Sequence, residues 1–279
     1  MTTATEALGL DPQAAVVILT CDELGFSYGV NSAIYAALRM HQATSASVMV
    51  PAPWARAAAA HYNGEDVGVH LTLNSELDQY RWGPITQSPS LLDGDGAFPR
   101  TIDDIWEHAD TEEVRREWQA QIERAQLWGF AIGHLDAHLS GVELKPEFFD
   151  VYLDLAEKYR LPIRLPGAAD ERRIGFPFRA LATERGVLAP DRVIALGTLG
   201  DDEATLREAL SSLEPGVTEL HVHPAHDSPE LRAATPSWET RVNEVTLLEI
   251  AAKILDEGGP SAPQRIGYGV MTQAMRREK

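Results

Sequence analysis

The stretch Val16–Asn31, VVILTCDELGFSYGVN, decides the fold of this chain. Its apolar run at residues 16–19 is typical of a strand covered on both faces, as in a parallel sheet flanked by helices. The adjacent acids Asp22 and Glu23 follow this run, and a glycine-containing turn then leads into a helix. Parallel α/β proteins build their active sites at the carboxyl ends of their strands. We therefore expect the two acids to lie in or beside an active site.

Composition limits the class of partner. The chain has 279 residues, a formal net charge of −18 and a single cysteine, Cys21. This charge argues against a nucleic acid or an anionic membrane as partner, because both would be repelled. A neutral substrate such as a sugar fits it better, although any acidic cytoplasmic protein would look the same. The single cysteine excludes an intrachain disulfide, and its position in a strand predicts a buried thiol.

The pattern of segments predicts one domain. The chain shows neither a secretory leader nor an apolar run of about 18 residues, so we expect a cytoplasmic protein. We expect residues 1–15 to be a loosely ordered extension and residues 16–279 to form a single domain. Strands and helices alternate through that domain, which favours a closed or nearly closed (β/α) barrel of about seven strands over an open sheet. Thr111 is the predicted cap of a central helix, and short strands are predicted at Leu161–Leu165 and Gln264–Tyr268.

A long segment without apolar periodicity, residues 74–100, interrupts the alternation. A loop of this length is usually a functional lid or disordered. Its aromatic residues Tyr80 and Trp82 are predicted to be exposed, where they would stack on a sugar ring or pack against a partner subunit.

The histidines cluster where the site is expected. Three of the nine lie in helical stretches, and six fall in or just after predicted strands: His70, His134, His138, His221, His223 and His226. A single histidine in a strand is more often a hydrogen-bonded core residue than a ligand. The grouping of six at strand ends, together with Asp22 and Glu23, indicates a functional site instead.

A metal centre can be built from three of these residues. Two neutral imidazoles and one carboxylate hold a divalent ion and leave positions open for water and substrate. Glu23, His70 and His138 end three different strands and are predicted to converge. Asp22 would point differently and act as a base. The alternative for the acid pair is a helix cap or a solvated turn.

The stretch HLDAH, His134–His138, contains two histidines, either of which could be the metal ligand. In a strand, His134, Asp136 and His138 share a face, whereas on a helix the two histidines would do so. The spacing does not tell which imidazole binds. Our interpretation is that His138 is a ligand and that Asp136 orients a neighbouring ligand.

These segments together resemble the YdjC-like carbohydrate deacetylase family, which includes the chitooligosaccharide deacetylases. That family has an Asp-Asp-Phe-Gly strand end before a Gly-Val-Asn helix start, matched here by CDELGFSYGVN. Its Gly-x-His-Leu strand, its His-Leu-Asp-Ser-His motif and its late His-Pro element are matched by GVHLTL, HLDAH and HVHPAH. The similarity runs in order from about residue 16 to about residue 248.

The resemblance implies a (β/α) barrel related to polysaccharide deacetylases, often dimeric, that removes acetyl groups from N-acetylated sugars with one divalent metal ion, Mg or Zn. By position, the metal ligands would be Glu23, His70 and His138. Asp22 would be the general base and His223 the acid. Arg164 matches a family arginine that would grip substrate or orient Asp22.

Two departures from the family pattern affect these expectations. Glu23 stands where the family usually has Asp, and this longer side chain bears on which metal ion is bound. Leu139-Ser140-Gly141 follows His138 where the family usually has further histidines, which bears on the substrate. The rival hypotheses are a metal-dependent hydrolase of another amide or ester, and a sugar-binding protein with a decayed site.

Overall fold

The computed structural model describes residues 4–167, 171–172, 174–259 and 262–277. Its strands are β1 (Ala15–Leu24), β2 (Ser45–Val48), β3 (Val67–Leu71), β4 (Ile132–Ala137), β5 (Arg192–Ala195), β6 (Gly216–Val222) and β7 (Gln264–Arg265). Its helices are α1 (Ala4–Ala7), α2 (Tyr28–Arg39), α3 (Ala55–His61), α4 (Ile102–His108), α5 (Thr111–Leu127), α6 (Pro146–Tyr159), α7 (Phe178–Glu184), α8 (Glu203–Ser211), α9 (Pro229–Ala234), α10 (Trp238–Glu257) and α11 (Tyr268–Arg277).

The strands form an incomplete parallel barrel. Among the described residues the sheet has seven strands in the order β4-β3-β2-β1-β6-β5, and β7 pairs with the start of β1. Beyond β4, the residues that the structure describes add a single bridge, between Leu135 and Ile163. The segment with Ile163 does not pair with β5, so the barrel stays open there. The predicted (β/α) barrel is confirmed in this incomplete form.

Strand β1 is buried on both faces, as its apolar run predicts. Val17 and Leu19 belong to the core beneath the helices, whereas Val16 and Ile18 belong to a second cluster that includes Tyr268 of α11. Ala4 of α1 is part of the same second cluster, and Leu8 and Leu10 pack against it. The single cysteine, Cys21, is fully buried, as expected.

Strand register brings the polar residues together at the carboxyl edge. β1 and β6 pair one to one up to Cys21 and Val222, so Asp22 and His223 leave adjacent strands at the same level. On the other side of the sheet, His70 of β3 lies directly beside Asp136 of β4. Side chains that are far apart in the sequence therefore lie close together at this edge of the sheet.

A bulge allows both adjacent acids to reach this edge. The pairing of β1 with β2 shifts between Cys21 and Leu24, and Glu23 has a left-handed backbone with φ of 68°. Successive residues of a regular strand point to opposite faces, and an extra residue in a bulge re-aims its side chain. Asp22 and Glu23 consequently both face the site although they are neighbours.

Several local predictions differ from the structure. The cap of α5 is Asp110, whose carboxylate accepts from two backbone N–H groups, and not Thr111, which is the first helical residue. Leu161–Leu165 makes only its one bridge because the barrel stays open there. The last strand is shorter than predicted because Tyr268 already begins α11. No helix in the described part of the chain has the length and apolar character needed to span a bilayer.

Gly68 of β3 makes room for His134. A Cβ at Gly68 would overlap the imidazole of His134, and that ring is held on its other side by stacking on Tyr268 at 3.8 Å between centroids. We expect Gly68→Ala to lower the free energy of unfolding by about 1–3 kcal/mol, because an overpacked core must shift. Urea denaturation measures this. Gly94→Ala, where a Cβ meets nothing within 4 Å, is the control, and equal stability of the two variants would contradict the argument.

Candidate active site

Glu23, His70 and His138 converge at the carboxyl edge of the barrel. His70 Nε2 lies 3.2 Å from His138 Nδ1, and His138 Nδ1 lies 3.5 Å from Glu23 Oε1. All three side chains are buried. Two nitrogens bound to one tetrahedral zinc ion at ~2.0–2.1 Å would lie about 3.4 Å apart. The separations of these ligand atoms fit a single ion between them.

Hydrogen bonds on the far side of each ring determine which nitrogens face this point. His70 Nδ1 lies 2.7 Å from Asp136 Oδ2, and His138 Nε2 lies 3.0 Å from Glu76 Oε2. A carboxylate accepts but does not donate, so in each neutral ring the N–H is on the nitrogen next to the carboxylate. His70 Nε2 and His138 Nδ1 then present lone pairs to the same point as Glu23 Oε1. Carboxylates behind histidines orient the rings in this way at metal sites.

The charges around His70 favour a cation at this place. Burial alone would lower the pKa of His70, but Asp136, followed by Asp22 and Glu23, raises that pKa to about 9. Burial alone would raise the pKa of Glu23, but Arg241, His223 and His138 hold it well below its ordinary value. The group therefore combines an ionised carboxylate with imidazoles in a strongly negative surrounding, which suits a divalent metal ion.

Asp22 is held by Arg164. Its two carboxylate oxygens accept hydrogen bonds of 2.7 and 2.8 Å from Arg164 Nη1 and Nη2. Burial alone would raise the pKa of Asp22, but the charge and hydrogen bonds of Arg164 outweigh burial and keep that pKa well below its ordinary value. Asp22 is therefore ionised and fixed in orientation.

Arg164 is itself surrounded by carboxylates. Besides Asp22, its guanidinium contacts both oxygens of Glu219 at 2.6 and 3.0 Å and Asp136 Oδ2 at 3.0 Å. Glu219 also accepts a hydrogen bond from the Tyr268 hydroxyl. Each nitrogen of this buried guanidinium thus already has a carboxylate partner. Of the two roles predicted for Arg164, orienting Asp22 fits these contacts, whereas gripping substrate does not.

Removal of Arg164 should destabilise the protein strongly. Arg164→Met leaves three buried carboxylates without their cation, and breaking a buried ion pair from one side costs about 3–5 kcal/mol. Arg207→Met is the matched control, since Arg207 pairs with two exposed acids and its loss should change the free energy of unfolding little. Urea denaturation of both variants gives the free energies of unfolding. Similar losses for the two would mean that the Arg164 cluster is not coupled as described.

Two histidines of the HVHPAH segment lie on the other side of Asp22. His221 Nδ1 is 3.6 Å and His223 Nε2 is 3.8 Å from Asp22 Oδ2. Burial, as the largest influence, lowers the pKa of both imidazoles. The backbone N–H of His223 donates to Glu244 Oε2 of α10, which fixes this turn. Both rings are partly exposed, unlike His70 and His138, so they line the open side of the site.

Two further groups of side chains at this edge could hold a metal by distance alone: Asp22 with His221 and His223, and Asp22 with His70 and Asp136. In both groups the two oxygens of Asp22 are already bonded to the Arg164 guanidinium, and in the second group Asp136 Oδ2 contacts it as well. An ion there would lie next to a fixed positive charge. In the group of Glu23, His70 and His138, a guanidinium, that of Arg241, contacts only Oε2 of Glu23, whereas Oε1 faces His138, so this group is the better fit.

Comparison with known proteins identifies the family. The model of the YdjC-like protein family matches residues 16–252. This chain belongs to the YdjC-like family. A protein of Thermus thermophilus named carbohydrate deacetylase is 38% identical over 240 residues, which are 85% of this chain and 86% of that protein. A protein of the same name from Brevibacillus brevis is 30% identical over 242 residues, 84% of this chain and 91% of that one.

A solved structure of similar sequence shows the same fold. It is that of a putative cellobiose-phosphate cleavage protein of Enterococcus faecalis, with a TM-score of 0.79 and 25% sequence identity. The match covers 92% of this chain and 99% of that one. The shared fold therefore extends over nearly the whole of both chains.

The remaining histidines predicted for the site of this YdjC-like chain, His134 and His226, lie in different places. His134 shares a strand face with Asp136 and His138, as predicted, but lies deeper and stacks on Tyr268. His226 is exposed, with its Nδ1 3.1 Å from Ser32 Oγ, and stands outside the group. The acids are not the cap of the following helix, because Ser27 caps α2.

The exposure predicted for the aromatic residues of the 74–100 segment was wrong. Trp82 is 4% exposed, and its ring packs on Phe26 and on His138 at 5.9 Å between centroids. Tyr80 is half-buried and donates to the carbonyl of Phe26. The same segment carries Glu76, the partner of His138. In the YdjC-like chain this segment is thus a wall of the site.

Sequence reasoning missed several partners of the site in the YdjC-like chain. Glu219 could have been found, since it shares the strand face of His221 and His223 at a spacing of two residues. Glu76 and Arg241 carry no local signal, because Glu76 belongs to an irregular segment and Arg241 is a charged residue on the buried side of α10. Their positions depend on long-range packing.

Proposed function

We propose that this protein is a metal-dependent hydrolase that removes the acetyl group from an N-acetylated sugar or oligosaccharide. The observation that carries the proposal is the convergence of Glu23, His70 and His138, with each imidazole held from behind by a carboxylate. The relatives named carbohydrate deacetylase confirm the predicted enzyme class, that of a carbohydrate deacetylase. The N-acetyl specificity and the metal are our proposal.

The donor set favours zinc over magnesium. Imidazole nitrogens are typical zinc ligands, whereas Mg²⁺ prefers oxygen ligands in octahedral geometry. Three protein ligands leave a coordination position open, as in catalytic zinc sites. When bound, such an ion polarises a carbonyl and lowers the pKa of water.

The side chains around this centre supply the proton transfers. Asp22, ionised and oriented by Arg164, would accept a proton from the water that attacks the acetyl carbon. His223, on the open side of the site with its Nε2 3.8 Å from Asp22 Oδ2, would receive that proton from Asp22 and donate it to the departing sugar amine. His221 occupies a comparable position beside Asp22 and would support the same exchange.

Product analysis tests the reaction class. Purified protein supplied with zinc is incubated with N-acetylglucosamine and its β-linked oligomers, and acetate and free amine are quantified by NMR. We expect the two products in equal amounts. Acetate from O-acetylated sugars alone would favour an esterase on the same scaffold. Sugar binding without any acetate would favour a binding protein with a decayed site.

The resemblance also predicts a homodimer. Analytical ultracentrifugation of the purified protein would detect it as a species of twice the chain mass. A monomer at all concentrations would contradict that part of the proposal.

A further inference from the structure

Glu23 has a second contact besides the metal group. Its Oε2 lies 2.7 Å from Nη1 of Arg241 on α10, while its Oε1 faces His138. Arg241 is 8% exposed, so this is a buried ion pair at the edge of the site. The two oxygens of one carboxylate are thus divided between the proposed metal position and a guanidinium.

Arg241 is fixed from several sides. Its guanidinium lies over the ring of Phe26 at 4.9 Å, and its Nε is 3.4 Å from Ser237 Oγ. Its backbone carbonyl accepts from the N–H of Ala225, two residues beyond His223. A cation over an aromatic face with a second polar contact is held in one orientation. The guanidinium therefore presents a fixed point to Glu23.

We propose that Arg241 is a positioning residue that holds Glu23 Oε2 so that only Oε1 is available to the metal ion. This inference rests on the metal centre of the proposed function. It assigns Glu23 as a ligand through one oxygen, with its other oxygen committed to protein.

The length of the Glu23 side chain suits this arrangement. Glu23 leaves the bulge of β1 with a left-handed backbone and reaches both the histidines and Arg241. An aspartate is one methylene shorter and would give up one of the two contacts. Glu23→Asp would then leave the buried Arg241 without its partner, so the family's more usual residue would not restore this site.

The direction in which removal of the Arg241 guanidinium changes metal affinity distinguishes a positioning role from simple charge neutralisation. A guanidinium that only compensated the charge of Glu23 would compete with the metal ion, and its removal would tighten metal binding. A guanidinium that positions Glu23 should weaken metal binding when it is removed. Residues that orient metal ligands typically contribute about 10–100-fold to metal affinity.

The test is the zinc dissociation constant of wild type, Arg241→Gln, Glu23→Asp and the double variant, measured without substrate by competition with a chromophoric chelator. We expect each single variant to bind zinc at least about tenfold more weakly, and the double variant to bind no more weakly than the worse single one. Arg241→Lys should recover part of the loss. Circular dichroism of the metal-free proteins reports whether each variant is folded.

Arg232→Gln is the matched control. Arg232 also pairs with a carboxylate, that of Asp227, and lies over an aromatic ring, that of Trp238, but it is exposed and outside the site. We expect it to leave zinc affinity unchanged.

The outcomes separate the inference from the proposed function. Unchanged or tighter zinc binding by folded Arg241→Gln would overturn the positioning role and leave the metal centre in place. Wild-type protein that binds no zinc, magnesium or other divalent ion would overturn both. Weakened binding in a protein that releases no acetate would support the role of Arg241 and contradict the deacetylase.

Discussion

Replacement of His138 by alanine should reduce zinc affinity and acetate release by more than about 100-fold. His138 contributes Nδ1 to the proposed metal position and receives support from Glu76 on its other nitrogen. Mutation of a residue that orients a metal ligand typically lowers metal affinity or activity about 10–100-fold. Loss of the ligand itself should therefore lower them further. Zinc content after dialysis and the initial rate of acetate release measure the two losses.

The control for this variant is His108→Ala. His108 is exposed, and its ring contacts only the carbonyl of Asp104 among the contacts described. It should keep zinc content and rate near those of wild type. A His138→Ala protein that retained one equivalent of zinc and most of its activity would place the metal elsewhere, with the group of Asp22, His221 and His223 as the next candidate.

Replacement of Asp22 by asparagine should lower kcat by about 10²–10⁴-fold while zinc remains bound. Loss of a general base typically costs this much. Asp22 is not among the proposed ligands, and its oxygens face Arg164, so metal content should change little. Steady-state kinetics and metal analysis of the same preparation distinguish the base from a ligand. Loss of zinc together with activity would assign Asp22 to the metal.

Glu219→Gln provides the matched structural control for Asp22→Asn. Glu219 is the other bidentate partner of Arg164, so this variant also loses a buried charge next to the guanidinium. It should destabilise the protein to a similar degree but reduce kcat much less, because Glu219 lies behind Arg164. Equal losses of kcat would mean that the disturbed Arg164 cluster, and not a missing base, explains Asp22→Asn.

The sequence was sufficient to predict the barrel and the position of its site. The apolar run of β1, the alternation in β3 and the polar residues at strand ends reflect burial and side-chain periodicity, which are local properties. They placed Glu23, His70 and His138 at one edge, where the structure brings them within contact distance. The strand form of HLDAH also placed Asp136 on the same face.

The parts that could not be predicted depend on contacts between distant segments. Trp82 looks like a loop aromatic in the sequence, yet it is buried because residues 74–100 fold over Phe26 and His138. The bulge at Glu23 depends on the register between β1 and β2. A local pattern would send adjacent acids to opposite faces, so the sequence explained the presence of both acids but not how both face the site.

The structure also gives Glu23 a physical explanation. As a departure from the family's aspartate it suggested an altered or decayed site. In the structure its extra methylene lets one oxygen contact Arg241 while the other faces His138. We therefore interpret Glu23 and Arg241 as a matched pair in a site that keeps its ligands.

The most direct test of the account is a titration of zinc into chelator-stripped protein, with acetate release from an N-acetylated sugar measured at each step. The account predicts no acetate from stripped protein and a linear rise that ends at one equivalent of zinc per chain. Full acetate release by metal-free protein would contradict it, as would a requirement for two equivalents.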